Sequence, residues 1–128
     1  MTQTKKQHLG SWGEEQAALF LIRQGYKIEE RNYKCSKGEI DIVAYKKEGI
    51  FKKKTLSFIE VKTRRGENGS AERAVGKKKL EHIFFSAKQY CIEYGIDIDR
   101  TPIQFEQISI YISNHTDSVK LVKYIIPI

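Results

Sequence analysis

The sequence contains few residues of the kinds that form disulfides or bind soft metals. Its two cysteines, Cys35 and Cys91, are far apart and belong to no CxxC motif. Reduced thiols are therefore expected rather than a disulfide or a zinc site. The three histidines, His8, His82 and His115, are dispersed along the chain and complete no ligand set. A disulfide-stapled or zinc-stabilised fold is not expected.

Long apolar runs, linkers and repeats are also missing. No apolar run approaches the roughly 18 residues of a membrane span, and residues 1–10 are polar and lack the apolar core of a signal peptide. A cytoplasmic location is therefore the default expectation. No stretch rich in Pro, Ser or Gly divides the 128 residues, so a single domain over residues 1–128 is expected. A chain of this length buries a core without disulfide or metal staples.

Positive charge is in excess. There are 23 Lys and Arg against 16 Asp and Glu, which gives a net charge of +7 and an isoelectric point near 9.4. This balance favours an acidic partner, and nucleic acid is the leading candidate.

Two short segments with alternating apolar and charged residues dominate the chain, at Gly38–Val43 and Phe58–Lys62. Side chains alternate between the two faces of a strand, so Asp41 is expected on one face with Ile40 and Ile42 on the other. By the same rule Glu60 and Lys62 share a face and Val61 opposes them. If the segments pair as an antiparallel hairpin, two carboxylates and an ammonium converge on one patch of the sheet.

An acid on one strand, followed by Glu-x-Lys on the next, is the pattern of a metal-dependent nuclease site. Mg²⁺ prefers hard oxygen ligands, which Asp41, Glu60 and the Val61 carbonyl between them can supply. Such an ion polarises a phosphodiester and lowers the pKa of an attacking water, which Lys62 would position or deprotonate. The alternative is that Glu60 and Lys62 are ordinary exposed residues on a strand whose other face is core.

Periodicity and turn residues predict two helices and five strands. Ser11 and Glu14 have the spacing of a capping box, and Gly25 is expected to cap the helix C-terminus. The predicted elements are a helix over Ser11–Gln24, strands over Tyr26–Asn32, Gly38–Val43 and Phe58–Lys62, a helix over Ala71–Tyr94, and strands over Ile103–Ile112 and Val119–Ile126. This order predicts an α/β domain with a mixed central sheet of about five strands and a helix on each face.

Several charged residues have two interpretations each. Glu14 either caps its own helix or reaches across to the acidic pair. Lys77, Lys78 and Lys79, in the first turns of the second helix, either bind phosphate or are solvated surface charges. The lysines at 52–54 either grip phosphates or cover the tip of the hairpin that joins the two central strands. The polar, glycine-rich segment that follows the second of these strands suits a substrate-facing loop.

Several short motifs together resemble the YraN family of small bacterial proteins. The resemblance covers roughly residues 8–112. The motifs are Gly10-x-x-Gly13-Glu14-x-x-Ala17, Gly25-Tyr26, Arg31-Asn32-Tyr33, Gly38-Glu39-Ile40-Asp41, Phe58-Ile59-Glu60-Val61-Lys62-x-Arg64, and Val75 with Lys79 and Ala87. The family is expected to adopt the restriction-endonuclease-like fold, which it shares with archaeal Holliday-junction resolvases.

The resemblance implies roles for individual residues. Asp41 and Glu60 would bind Mg²⁺, Lys62 would be the catalytic lysine, Glu14 would reach the metal, and Lys79 would contact phosphate. The chain departs from the family pattern on a late strand, where Gln104-Phe105-Glu106 replaces Arg-Phe-Asp, so a DNA contact by that strand is not expected. The lysines at 52–54 lengthen the central hairpin.

Two classes of function follow. The first is a Mg²⁺-dependent nuclease, with Mn²⁺ as an alternative ion, acting on structured or branched DNA whose phosphates are held by Arg64, Lys77 and Lys79. Phosphate contacts carry no sequence information, so no base-specific recognition is expected. The second is a non-catalytic nucleic-acid-binding or accessory protein in DNA repair or recombination, in which the acids are structural. The complete set of two acids and a lysine favours the nuclease. A homodimer would suit a junction cutter, which must place two nicks.

Overall fold

The computed structural model describes residues 4–49, 53–66 and 76–127 of the chain. Within these ranges two helices and five strands follow one another in the predicted order. They are α1 (Lys5–Arg23), β1 (Tyr26–Cys35), β2 (Gly38–Glu48), β3 (Lys53–Arg65), α2 (Lys77–Glu93), β4 (Ile103–Ile112) and β5 (Val119–Ile125).

The five strands form one mixed sheet in chain order, β1-β2-β3-β4-β5. Three neighbouring pairs are antiparallel, whereas β3 and β4 are parallel. Parallel neighbours need a crossover connection, and α2 lies in the chain between β3 and β4. The predicted α/β class with a mixed sheet is confirmed, and the arrangement is consistent with the restriction-endonuclease-like fold.

Each face of the sheet is covered by one helix. On one face, Ala17 and Leu21 of α1 pack with Ile42, Ile59 and other buried residues of the sheet. On the opposite face, α2 packs against a second cluster that is rich in aromatic residues and includes Phe58 and Phe105. Fully burying one such side chain contributes about 1.5–3 kcal/mol. The two-sided core fixes β3 in the middle of the molecule, and β3 carries the Glu-x-Lys motif.

Helix α1 begins earlier than the sequence predicted. Its N-cap is Thr4, whose hydroxyl accepts a hydrogen bond from the Gln7 amide at 3.1 Å, while the Gln7 side chain accepts one from the Thr4 amide at 2.8 Å. The prediction of Ser11 as N-cap with Glu14 as its partner is wrong. The earlier pair has the same capping-box spacing, and the helix continues through the positions where the second pair occurs. Gly25, with φ of 94°, ends the helix as expected.

Several other boundaries differ from the predicted ones, whereas those of β4 agree. Helix α2 begins at Lys77 after the N-cap Gly76, not at Ala71, and the predicted positions 71–75 lie outside the described residues. Strand β1 continues to Cys35, three residues beyond the prediction, because its pairing with β2 is kept up to Cys35 opposite Gly38. The central hairpin is also longer than the two motifs, since β2 reaches Glu48 and β3 starts at Lys53.

Gly13 allows α1 to approach β3 closely. A Cβ atom on Gly13 would lie 1.8 Å from Thr63 Oγ1, which is too close for any side chain, and 3.0 Å from Thr63 Cβ, which is a tight contact. This approach brings the next residue, Glu14, to the end of the sheet where the acidic motifs lie. In the ranges that the structure describes, neither helix has the length and apolar character needed to span a membrane.

Candidate active site

The central hairpin opens at the acidic motifs. Pairing between β2 and β3 runs from Glu48 opposite Lys53 to Ile42 opposite Ile59, and Asp41 comes next on β2. There the Asp41 carboxylate, instead of a backbone carbonyl, accepts a hydrogen bond of 2.8 Å from the Val61 amide. The side chain therefore takes over a backbone role and is held at the point where the strands part.

Strict alternation fails at this point, and one prediction is wrong as a result. Ile40 packs in the core beneath α2, whereas Ile42 packs in the core beneath α1, so the two do not share a face. The neighbouring strand is irregular at the same point, where Asn32 adopts φ of 55° between the pairs Arg31–Ile42 and Tyr33–Ile40. A left-handed residue turns the strand locally and redirects the side chains around it.

Burial raises the pKa of Asp41 to about 7. The hydrogen bond from Val61 lowers the pKa, but the carboxylates of Glu14, Glu60 and Glu39 raise it further. A carboxyl that titrates near neutral pH because of burial and neighbouring acids is typical of functional sites. Its negative charge is costly in the metal-free protein, and a bound cation would remove that cost.

Glu14 lies beside Asp41. It sits inside α1, so the interpretation of Glu14 as a helix cap is wrong. Burial raises the pKa of Glu14, while the guanidinium of Arg31 and the interaction with the Asp41 side chain lower it. Glu14 is therefore the residue by which α1 approaches the acidic pair, and its contact with a metal stays a prediction.

Glu60 lies on the α2 side of β3 and pairs with Lys79 of α2. Its side chain is only 11 % exposed, which does not fit an ordinary exposed strand residue. The oxygen Oε2 is buried and has no hydrogen-bond partner among the residues that the structure describes, and such a group costs free energy unless another ligand satisfies it. Val61 packs against the core beneath α1, so Glu60 and Val61 oppose each other as predicted.

These groups line a cleft of about 880 Å³ between α1 and α2 at the open end of the hairpin. Lys62, Arg64, Lys78 and Lys79 contribute cationic side chains to its wall. Lys77, which the sequence singled out, is exposed but does not line the cleft, whereas its neighbour Lys78 does. The lining therefore combines carboxylates at the base with cations around them.

His82 and Asn32 are among the lining residues that the sequence analysis did not assign to the site. His82 lies one turn beyond Lys78 and Lys79 on the same helix, so helical spacing was a signal for it. Asn32 lines the cleft from β1 in its left-handed conformation. Asparagine tolerates that conformation better than most residues, which was the available signal.

The donor set suits Mg²⁺ better than a soft metal. Among the residues that the structure describes, no three His, Cys, Asp or Glu side chains are grouped tightly enough to hold a metal ion on their own. Mg²⁺ does not require such a cage, because it commonly keeps several waters and uses one or two carboxylates with substrate phosphates. Asp41 and Glu60, with the Val61 carbonyl and the unpartnered Glu60 oxygen, fit that pattern.

Two other sequence features lie away from the cleft. Lys53 and Lys54 are at the far end of the hairpin, about 20 Å along the strand from Asp41 at ~3.3 Å per residue. Lys52 lies outside the described residues. Glu106 is 0 % exposed and is held by Tyr26 and Lys123 at 2.8–3.0 Å, so it is not available for a DNA contact.

A protein-family model described as the uncharacterised protein family UPF0102 matches residues 13–110, which include both acidic motifs, α2 and the second half of α1. Curated relatives with the same family description span most of the chain. A UPF0102 protein of Phocaeicola vulgatus is 41% identical over 103 residues, which are 79% of this chain and 77% of the relative. Another, from Chlorobium phaeobacteroides, is 42% identical over 81% of this chain and 76% of its own length. A third, from Caldicellulosiruptor bescii, is 38% identical over 90% of this chain and 93% of its own.

Proposed function

The chain belongs to the UPF0102 (YraN) family, and from this premise and the cleft geometry we propose that it is a Mg²⁺-dependent nuclease that hydrolyses DNA phosphodiester bonds. The observation that carries the proposal is the convergence of Asp41, Glu60 and Lys62 at the open end of the β2–β3 hairpin, inside one cleft. Scaffold residues rarely bury two carboxylates side by side, because their charges repel and lose hydration.

Asp41 and Glu60 would hold the ion together with the Val61 carbonyl, and Glu14, which interacts with Asp41, would support the ion. When bound, Mg²⁺ supplies Lewis-acid polarisation of the phosphodiester and a water of lowered pKa. Lys62 lines the same cleft and would orient the attacking water or offset charge on the phosphate.

The cations around the cleft support a phosphodiester substrate. Arg64, Lys78 and Lys79 line it, and Lys77 lies next to them on the exposed start of α2. Gly76 and the first turn of α2 also face the cleft, and backbone amides at a helix N-terminus favour phosphate. These contacts grip a backbone rather than read bases, so we propose recognition of DNA shape, including branched DNA.

The test is cleavage of labelled single-stranded, duplex, flap and four-way-junction DNA with Mg²⁺, Mn²⁺ or EDTA. We expect metal-dependent cutting that Lys62→Ala lowers by at least about 100-fold, the scale of losing one charge-stabilising or proton-transferring group. The matched control is Lys54→Ala, which removes an exposed lysine from the far end of the same strand and should cut normally. Equal cutting by both variants would refute the assignment of Lys62.

A specific observation favours the second candidate, a non-catalytic nucleic-acid-binding protein. Lys79 already neutralises part of the charge on Glu60 without any metal. In that case DNA would bind equally well in EDTA and in Mg²⁺, and no substrate in the panel would be cut. Affinity would still fall steeply with salt.

A further inference from the structure

The ion pair between Glu60 and Lys79 leaves half of the carboxylate unused. Lys79 bonds Oε1, whereas Oε2 is buried with no hydrogen-bond partner in the described part of the chain. A fully paired structural salt bridge would satisfy both oxygens, since an orphaned carboxylate oxygen is costly. The arrangement is therefore suited to exchange one cation for another.

Lys79 also lies where a cation is disfavoured. It is the third residue of α2, in a first turn that contains no acidic residue and begins with Lys77 and Lys78. The positive end of the helix dipole and two like charges act against it. Glu60 offsets these effects. The Lys79 side chain is 50 % exposed, so it can leave Glu60 without disturbing the core.

We propose that Lys79 occupies the cation position at Glu60 in the metal-free protein and moves to a substrate phosphate when a divalent ion binds. This inference rests on the proposed function. Because one carboxylate cannot serve both cations fully, Lys79 lowers the affinity for metal. Its release supplies a phosphate contact, so metal and DNA each strengthen binding of the other.

The first arm of the test measures Mn²⁺ binding without DNA, by electron paramagnetic resonance and by calorimetry. We expect Lys79→Met to bind Mn²⁺ roughly ten-fold more tightly than the natural protein, because the competing ammonium is gone. Lys78→Met is the matched control: it removes the same charge from the same turn and cleft. Screening by solvent should limit its effect to about two-fold.

The second arm measures the affinity for labelled duplex DNA in EDTA and in Ca²⁺. Lys79→Met should lose about five-fold in Ca²⁺ and almost nothing in EDTA, where Lys79 is held by Glu60. Lys78→Met should lose affinity to the same extent in both conditions. The difference between the two variants reports the exchange itself and needs no cleavage activity.

The inference is overturned if Lys79→Met and Lys78→Met change Mn²⁺ affinity equally, or if Lys79→Met weakens DNA binding as much in EDTA as in Ca²⁺. Either result alongside normal cleavage by the natural protein would leave the proposed function intact. Conversely, if both arms give the results expected for exchange but no substrate is cleaved, the proposed nuclease activity is refuted. The exchange of Lys79 for a divalent ion at Glu60 is then retained. Absence of Mn²⁺ binding to all three proteins would overturn both.

Discussion

At the scale of single residues, Asp41 carries the largest electrostatic cost in the cleft. Burial and three neighbouring carboxylates oppose its ionisation, and only the Val61 amide favours it among the leading causes. Such a group is poorly suited to a purely structural role at neutral pH, because a neutral side chain would serve the fold better. A cation bound at Asp41 would offset the electrostatic cost of ionising its carboxyl group.

This cost predicts a pH-dependent stability difference in the metal-free protein. Because the pKa of Asp41 is raised to about 7 in the folded state, its contribution is favourable at acidic pH and is lost as the pH rises from about 4 to 7. Asp41→Asn keeps an acceptor for Val61 but never ionises. We expect it to be more stable than the natural protein at pH 8 by about 2–4 kcal/mol, and by much less at pH 5.

Urea denaturation in EDTA at the two pH values measures this difference. Glu81→Gln is the control, because Glu81 is exposed on α2 and should show no pH-dependent gain. A difference between Asp41→Asn and the natural protein that is the same at pH 5 and pH 8 would contradict the assignment of the raised pKa to Asp41.

At the scale of elements, the site depends on how closely α1 approaches β3. Glu14 interacts with Asp41, and its neighbour Gly13 has no side chain, which lets the helix lie against Thr63. A helix pays about 1 kcal/mol for an interior glycine relative to alanine. Here the glycine permits the contact between α1 and Thr63, which positions Glu14 at the site.

Gly13→Ala should therefore destabilise the protein by about 1–3 kcal/mol, because the new Cβ forces α1 away from Thr63 despite the better helix propensity of alanine. Gly10→Ala is the matched control: it lies in the same helix with no atom within 4 Å of the added Cβ, and should stabilise by up to about 1 kcal/mol. Thermal unfolding measures both.

Adding Thr63→Ala should recover part of the loss in Gly13→Ala, since it removes the Oγ1 atom that the new Cβ meets at 1.8 Å. If Gly13→Ala is as stable as Gly10→Ala, the close approach of α1 to β3 is not required by the fold.

At the scale of the whole molecule, the cations that give the net charge of +7 are not all placed to contact DNA in the cleft. Cations that line the cleft can contact a DNA backbone there, whereas Lys53 and Lys54 lie at the other end of the hairpin. The two populations should separate in the salt dependence of binding. A phosphate contact releases counterions, and each contact adds about 0.9 to the slope of log affinity against log salt for duplex DNA.

Arg64→Ala should reduce that slope by about 0.9 in Ca²⁺ and weaken binding to different duplex sequences alike. Lys53→Ala, which removes an exposed lysine from the far end of the same strand, should leave the slope unchanged. Titrations of duplex DNA over a range of salt concentrations measure it. Equal slopes for the two variants would place the DNA outside the cleft.

The sequence by itself determined the order and type of the elements and the residues of the acidic hairpin. Helical and strand periodicities are local properties, and an antiparallel hairpin has a register that nearby residues define. The boundaries of β4 were predicted to the residue, since its apolar run ends in clear turn residues. The family could also be identified from the sequence, because the motifs at Gly38–Asp41 and Phe58–Lys62 lie close together in the chain.

Only the tertiary structure decided what depends on contacts between distant segments. The start of α1 was predicted wrongly because two capping-box spacings compete, and local sequence does not choose between them. Ile40 and Ile42 lie in different core clusters, next to the left-handed Asn32 of a neighbouring strand. The pairing of Lys79 with Glu60 requires α2 to pack across β3. Such contacts arise from three-dimensional packing, which no periodicity in the chain records.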